Sequence, residues 1–120
     1  MQIRKASISD LHLIAPLFNA YRIFYKKDSD LGGADSFIKQ RLENNESTIF
    51  LAFDDSQNAI GFIQLYPLFS STRMARLWLL NDLFVDPIAR RKGVAKSLLD
   101  QAKQFCSCLL YTSPSPRDRG

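Results

Sequence analysis

The feature that most constrains the fold is a hydrophobic stretch that stops at a proline and runs directly into a basic turn. Its apolar residues are nearly continuous: Leu79, Leu80, Leu83, Phe84 and Val85. Such a run is typical of a strand that is covered on both faces of a sheet. Pro87 lacks an N–H group and favours an extended residue before it, so the strand ends at about Asp86. The sequence therefore predicts a central, buried strand.

A helix follows from about Lys92, and its first turn is unusual. Apolar residues recur every three or four positions along one face: Val94, Leu98, Leu99, Ala102 and Phe105. Residues 90–93 read Arg-Arg-Lys-Gly, and cations are unfavourable at the positive end of a helix dipole. Gly93 also removes side-chain bulk where the backbone turns. We expect a pyrophosphate to complete this site; a solvated basic turn is the alternative.

Two phrases in this segment carry a resemblance to a known family. Residues 90–95, Arg-Arg-Lys-Gly-Val-Ala, resemble the Gln/Arg-x-x-Gly-x-Gly/Ala motif of the GNAT superfamily of N-acetyltransferases, with Ala95 where many members have glycine. Residues 81–87, Asn-Asp-Leu-Phe-Val-Asp-Pro, resemble the same strand in members close to the diamine acetyltransferases. The resemblance implies that acetyl-CoA is the co-substrate.

The same resemblance implies which residues contact acetyl-CoA. In the family, backbone amides of the turn hold the pyrophosphate, and the preceding strand binds the pantetheine arm. Carried over to this chain, the motif spans residues 79–99 and the implied contacts are Leu83, Phe84, Val85, Arg90, Arg91, Lys92, Gly93, Val94, Ala95 and Lys96.

Asp82 is the candidate catalytic residue. Direct attack of a neutral amine on a thioester needs a base that receives the ammonium proton. Asp82 interrupts an apolar strand, where a carboxylate is costly to bury. It also matches an acidic position in the diamine-acetyltransferase-like members. We expect Asp82 to be the base, with an ion pair to an arginine as the structural alternative.

The acceptor site is less well specified by the sequence. In the family, the first two helices and the loop between them border this site, which makes Tyr21, Tyr25 and the acidic pair Asp28 and Asp30 candidates for substrate contact. Asn81, beside Asp82 on the central strand, is a further candidate. Core packing of the aromatic residues and solvation of the loop are equally compatible with the pattern. The acceptor itself stays open between a polyamine, an amino acid, an aminoglycoside and a protein N-terminus.

The remaining patterns give an α/β (α+β) chain in the order β-α-α-β-β-β-α. We expect a first strand, two helices of which Pro16 kinks the first, a hairpin and a third strand from about residue 75; the first five elements span residues 2–5, 11–27, 34–44, 48–53 and 60–68. The result is a mostly antiparallel sheet with flanking helices. It resembles the first part of a GNAT fold, without the later strands and helix.

The C-terminal residues read differently from the rest. From Cys108 onwards the chain resembles a translated sequencing-library adapter, and Pro114 and Pro116 cannot continue a buried strand. We therefore expect a partial GNAT domain at residues 1–107 and a non-native tail at 108–120, with a genuine short C-terminal tail as the alternative. With the far edge of the central strand left unpaired, we expect the chain to be marginally stable and inactive, and to form a homodimer or aggregate.

Composition narrows the remaining classes of function. A length of 120 residues suits one domain, and no apolar run approaches the ~20 residues that cross a bilayer, so we expect a cytoplasmic protein without a membrane partner. Cys106 and Cys108 with the distant His12 do not form a metal-ligand set. A formal charge of +4 permits a nucleic-acid-binding module, but the aromatic residues sit at buried spacings, not among exposed cations. A non-catalytic CoA-binding protein stays open as an alternative.

Overall fold

The structure, a computed structural model, describes residues 1–106 and 109–111. Five strands form one sheet in the order β1-β2-β3-β4-β5, antiparallel except for the β4–β5 pair. The elements are β1 (Gln2–Lys5), α1 (Leu11–Phe24), α2 (Leu31–Glu43), β2 (Thr48–Phe53), β3 (Ala59–Ser70), β4 (Ala75–Val85), α3 (Val94–Phe105) and β5 (Leu109–Tyr111). The predicted element order up to α3 is confirmed.

The sheet separates two hydrophobic layers. On one face, Val94, Leu98 and Ala102 of α3 pack against side chains of β3 and β4 that include Leu65 and Leu83. On the other face, α1 and α2 cover a second cluster that contains Phe62 and Phe84. Successive residues of a strand point to opposite faces, so β4 is buried from both sides, as its apolar run predicts.

A β-bulge in β4 explains why two polar residues interrupt that run. Gln64 of β3 lies opposite Asp82, whereas Leu65 lies opposite Leu80, so Asn81 is the extra residue. A bulge shifts the alternation of side chains by one. Leu80 and Leu83 therefore both face α3, and Asp82 points to the face that α1 and α2 cover. The bulge aims one carboxylate without disturbing either hydrophobic layer.

The prediction that no strand pairs with the far edge of β4 is wrong. The apolar residues of β5 pair in parallel with Trp78, Leu79 and Leu80, and Leu109 packs against the α3-side core. The open backbone groups of β4 and two neighbouring leucines are sufficient to form this short ladder. β5 does not pair with β4 beyond Leu80. Pro114 and Pro116, on which the prediction of a non-native tail partly rests, lie outside the described residues.

Two helix boundaries also differ from the predictions, and both have local causes. The first helix ends at Phe24, before Lys27, because Lys26 adopts a φ of 66° and Lys27 N donates back to Arg22 O. The second helix begins at Leu31, before Ala34, because the Asp30 carboxylate accepts a hydrogen bond from Gly33 N at 2.9 Å. That cap places two glycines in the first turn of the helix.

Candidate active site

The turn between β4 and α3 presents a row of unbonded backbone N–H groups. Arg91 and Gly93 have φ values of 65° and 78°, in the left-handed region that glycine favours. The six consecutive N–H groups of residues 91–96 donate no hydrogen bond to any part of the chain that the structure describes. Convergent N–H groups at a helix N-terminus form an anion-binding site.

The cations of the turn do not all serve that site. The Arg90 side chain turns inward, where its Nε donates to Val85 O at 2.9 Å and its guanidinium lies 4.8 Å from the Phe24 ring. The Lys96 ammonium is paired with Asp100 at 2.8 Å. Arg91 and Lys92 are exposed. Arg90 therefore ties the turn to the end of β4, and the backbone amides with Arg91 and Lys92 are left for an anion.

The last residues of β4 direct backbone groups to the edge away from β3, where Leu83 and Val85 are 3% and 1% exposed. Asp86 N donates to Ile60 O at 2.8 Å. In an antiparallel pair, every second residue of a strand bonds to the same neighbouring strand, so the backbone N–H and C=O of Phe84 also point to β3. Those of Leu83 and Val85 point to the opposite edge, where β5 does not reach. Of these, Val85 O is bonded to Arg90.

Asp82 is buried and held by two amides. Its side chain is 4% exposed, Gln64 Nε2 donates to Oδ2 at 2.6 Å, and Asn81 Nδ2 donates to Oδ1 at 3.1 Å. Among the described residues it takes part in no ion pair, which disfavours the alternative of a structural arginine partner. Asn81, predicted to contact substrate, contacts this carboxylate.

A tyrosine of β3 lies on the same face as Asp82. Burial, together with the negative charge of Asp82, raises the pKa of Tyr66 to about 12, and the positive charge of Arg41 opposes this rise. Tyr66 is therefore a neutral phenol at physiological pH. It can donate a hydrogen bond to a ligand that reaches Asp82.

The predicted acceptor-site residues of α1 form an aromatic cluster over β3 and β4. The Tyr21 ring lies 5.8 Å from the Phe62 ring and 6.0 Å from the Phe84 ring, and the Tyr25 ring lies 5.1 Å from that of Tyr21. The cluster shares its face of the sheet with Asp82. Asp28 lies in the exposed loop after α1, where its carbonyl oxygen accepts a hydrogen bond from Arg22.

Gln64 and Tyr66 are the residues that the sequence reading missed. Both lie on β3 at positions of the same parity as the buried Phe62. The available signal was a glutamine inside the apolar strand at residues 60–68. That signal alone was not sufficient, because the pairing of Gln64 with Asp82 depends on the register between β3 and β4. That register includes the bulge at Asn81, which no sequence pattern marks.

Metal-ligand clusters and membrane-spanning helices are both absent from the described residues. These residues contain no group of three or more His, Cys, Asp or Glu side chains that could hold a metal ion. None of their helices has the length and apolarity that a bilayer crossing needs. The candidate site described above consists of backbone amides, one buried carboxylate and aromatic side chains.

This five-stranded mixed α/β sheet with flanking helices, whose fourth strand leads through the turn at residues 86–93 into α3, is a GNAT-like acetyltransferase fold. Residues 14–113 match the sequence model of the Acetyltransferase (GNAT) family. The chain belongs to that family. The match extends six residues past the boundary predicted at residue 107.

Individual relatives agree with the family match. The chain is 55% identical over 105 residues to YhfO, an uncharacterized N-acetyltransferase of Bacillus subtilis (strain 168), covering 88% of this chain and 70% of that protein. It is 35% identical to a probable acetyltransferase of Haemophilus influenzae (strain ATCC 51907 / DSM 11121 / KW20 / Rd), covering 88% and 72%. The crystal structure of a probable acetyltransferase superposes with a TM-score of 0.89 at 40% identity, covering 94% of this chain and 79% of that one.

Proposed function

We propose that the protein transfers an acetyl group from acetyl-CoA to a cationic primary amine, and that its co-substrate lies across the β4–α3 turn. One observation carries the proposal: six adjacent N–H groups from Arg91 to Lys96 have no partner within the described chain. A pyrophosphate would satisfy them, and a Cβ atom at Gly93 would have no described neighbour within 4 Å, so the space beside the turn is open. The general reaction of the family is acetylation of an amine by acetyl-CoA.

The open edge of β4 is the proposed site of the pantetheine arm. The N–H groups of Leu83 and Val85 and the carbonyl of Leu83 point to that edge, and no described strand pairs with them. Phe84 would contribute through its side chain, because its backbone is directed to β3. Arg90, with its side chain bonded to Val85 O, would keep the strand end and the turn in fixed relation.

Asp82 is the proposed base. The acceptor nitrogen would bond to the acetyl carbonyl carbon as the carbon–sulfur bond of acetyl-CoA breaks, and CoA would leave as a thiolate that takes up a proton. The carboxylate of Asp82 would take the proton that the ammonium form of the acceptor must lose, either directly or through a water molecule. Its negative charge, the Tyr66 hydroxyl and the rings of Tyr21 and Tyr25 favour a cationic acceptor, as in the diamine-acetyltransferase-like members that residues 81–87 resemble.

The expectation of an inactive chain rested on an unpaired far edge of β4, and because β5 pairs with part of that edge we propose instead that the chain is active. The experiment is a binding and transfer assay on the purified chain. We expect acetyl-CoA to raise the Tm in proportion to the logarithm of its concentration, because a ligand that binds only the native state stabilises it by mass action. A panel of a polyamine, an amino acid, an aminoglycoside and an N-terminal peptide then identifies the acceptor. Absence of any Tm shift at millimolar acetyl-CoA would refute the proposal, and a shift without transfer to any amine would favour the non-catalytic alternative.

A further inference from the structure

Gln64 has an unsatisfied polar atom in the core. The residue has no exposed surface, and its Nε2 donates to Asp82 Oδ2, yet its Oε1 has no hydrogen-bond partner among the described residues. A buried amide oxygen without a partner is costly, and an apolar side chain of similar volume would avoid that cost. Such an unpaired oxygen suggests that Gln64 accepts a hydrogen bond in another state of the site.

The proposed role of Asp82 supplies that state, and the inference rests on it. A carboxylate only accepts hydrogen bonds, whereas the carboxylic acid that forms when Asp82 takes up a proton also donates one. In the buried site, the new O–H group needs an acceptor. The unpaired Oε1 of Gln64 belongs to the side chain that already touches Oδ2.

The geometry allows one amide to serve both states. A half-turn about the last torsion of Gln64 exchanges its nitrogen and oxygen, and it moves no other heavy atom. The Nε2–Oδ2 separation of 2.6 Å also falls within the range for an O–H···O hydrogen bond. We infer that Gln64 is a positioning residue for Asp82, whose amide donates to the carboxylate and, after a half-turn, accepts from the carboxylic acid.

The other charged or titratable groups near Asp82 do not replace this role. The negative charge of Asp82 helps to raise the pKa of Tyr66 of β3, and Arg41 of α2 opposes that rise. Among the described residues, no hydrogen bond joins Tyr66 or Arg41 to the Asp82 carboxylate. Asn81 donates to the other oxygen, Oδ1. Gln64 is the fully buried partner of Oδ2.

The test follows the side-chain amide of Gln64 by NMR in the ¹⁵N-labelled chain. The signal is assigned by its loss in Gln64→Glu and is recorded from neutral to acid pH, with backbone amides reporting that the chain stays folded. We expect the Gln64 signal to change in one step as Asp82 takes up a proton, while the exposed Gln57 does not change. In Asp82→Asn the step should vanish, because no proton can be bound there.

A Gln64 signal that stays constant until the chain unfolds would contradict the inference, as would a step that persists in Asp82→Asn. The acetyl-CoA thermal shift separates this result from the proposed function. If the Tm responds to acetyl-CoA and the amide signal fails to change, only the role of Gln64 is wrong. If the amide signal changes and acetyl-CoA gives no Tm shift, the co-substrate assignment is wrong and the Gln64–Asp82 coupling stands.

Discussion

Asp82 and its two amide partners form a unit that a single substitution can test. Asn keeps the size of the side chain but cannot take up the proton, so we expect Asp82→Asn to lower kcat by about 10²-fold or more. The Tm increase given by acetyl-CoA should be unchanged, because the turn is separate from this carboxylate. Asp35→Asn on α2 is the control and should keep full activity. Equal loss of turnover and of acetyl-CoA binding would point to a structural role for Asp82.

Gly93 is the residue at which the turn depends most on glycine. Its φ of 78° disfavours any β-branched side chain, and such a side chain would also occupy the space beside the free N–H groups. We expect Gly93→Val to weaken acetyl-CoA binding at least about tenfold, which is ~1.4 kcal/mol, measured by titration calorimetry. Gly32→Val, at another open position, should bind normally. Unchanged affinity in Gly93→Val would place the phosphates elsewhere.

At the scale of elements, Arg4 and Asp10 join β1 to the start of α1. Both guanidinium nitrogens of Arg4 lie 2.9 Å from the Asp10 carboxylate, which also accepts from Ser7 N. The Arg4 hydrogen bonds are the main reason that the pKa of Asp10 falls from 3.8 to about 2. The carboxylate is therefore favoured in the folded state, and the stabilisation it gives is present above about pH 4 and lost as the pH falls towards 2.

This ion pair predicts a pH-dependent loss of stability. Because the Arg4 side chain is 44% exposed and partly screened, we expect Asp10→Asn to lower the free energy of unfolding at pH 7 by about 1–2 kcal/mol. The difference from wild type should shrink between pH 4 and pH 2, as measured by urea denaturation. Asp55→Asn, which removes an exposed pair with the N-terminus, should have little effect. A difference independent of pH would contradict the account.

Gly61 sets how closely β3 approaches the end of β4. A Cβ atom there would lie 2.9 Å from Phe84 O and 3.4 Å from Leu98 Cδ1, so strand and helix would have to move apart. We expect Gly61→Ala to lower the free energy of unfolding by about 1–3 kcal/mol in urea denaturation. Gly32→Ala, with open space around it, should be neutral or stabilising. Wild-type stability of Gly61→Ala would show that the sheet adjusts without cost.

The elements differ in how far the sequence determined them. The central strand, the amphipathic α3 and the hairpin follow from periodicity and from proline and glycine positions, and the structure confirms them. The bulge at Asn81 and the short β5 depend on how distant strands pair, which local patterns do not encode. We expected the Arg90 side chain at the proposed pyrophosphate site, but its Nε donates to Val85 O. A run of basic residues in the sequence does not show which of them folds back onto the preceding strand.

In the whole molecule, the candidate acceptor residues and the candidate co-substrate turn lie on different sides of the sheet. The face covered by α1 and α2 holds Asp82, Gln64, Tyr66 and the tyrosines of α1, and the end of β4 leads to the turn that precedes α3 on the other face. The edge of β4 at Leu83 and Val85, with which no described strand pairs, lies between Asp82 and the turn. The sequence singles out the turn and the carboxylate as candidates because each breaks a local rule, whereas Gln64 and Tyr66 on β3 become candidates only once the register is known.

The central claim is that the backbone amides of the turn hold the pyrophosphate of acetyl-CoA. Backbone ¹⁵N–¹H spectra of the chain, recorded during a titration with acetyl-CoA, test it amide by amide. The account predicts that the largest shifts occur at residues 91–96, with smaller shifts at Leu83 and Val85 and little change across α2. Saturating shifts elsewhere, with residues 91–96 unaffected, would contradict it.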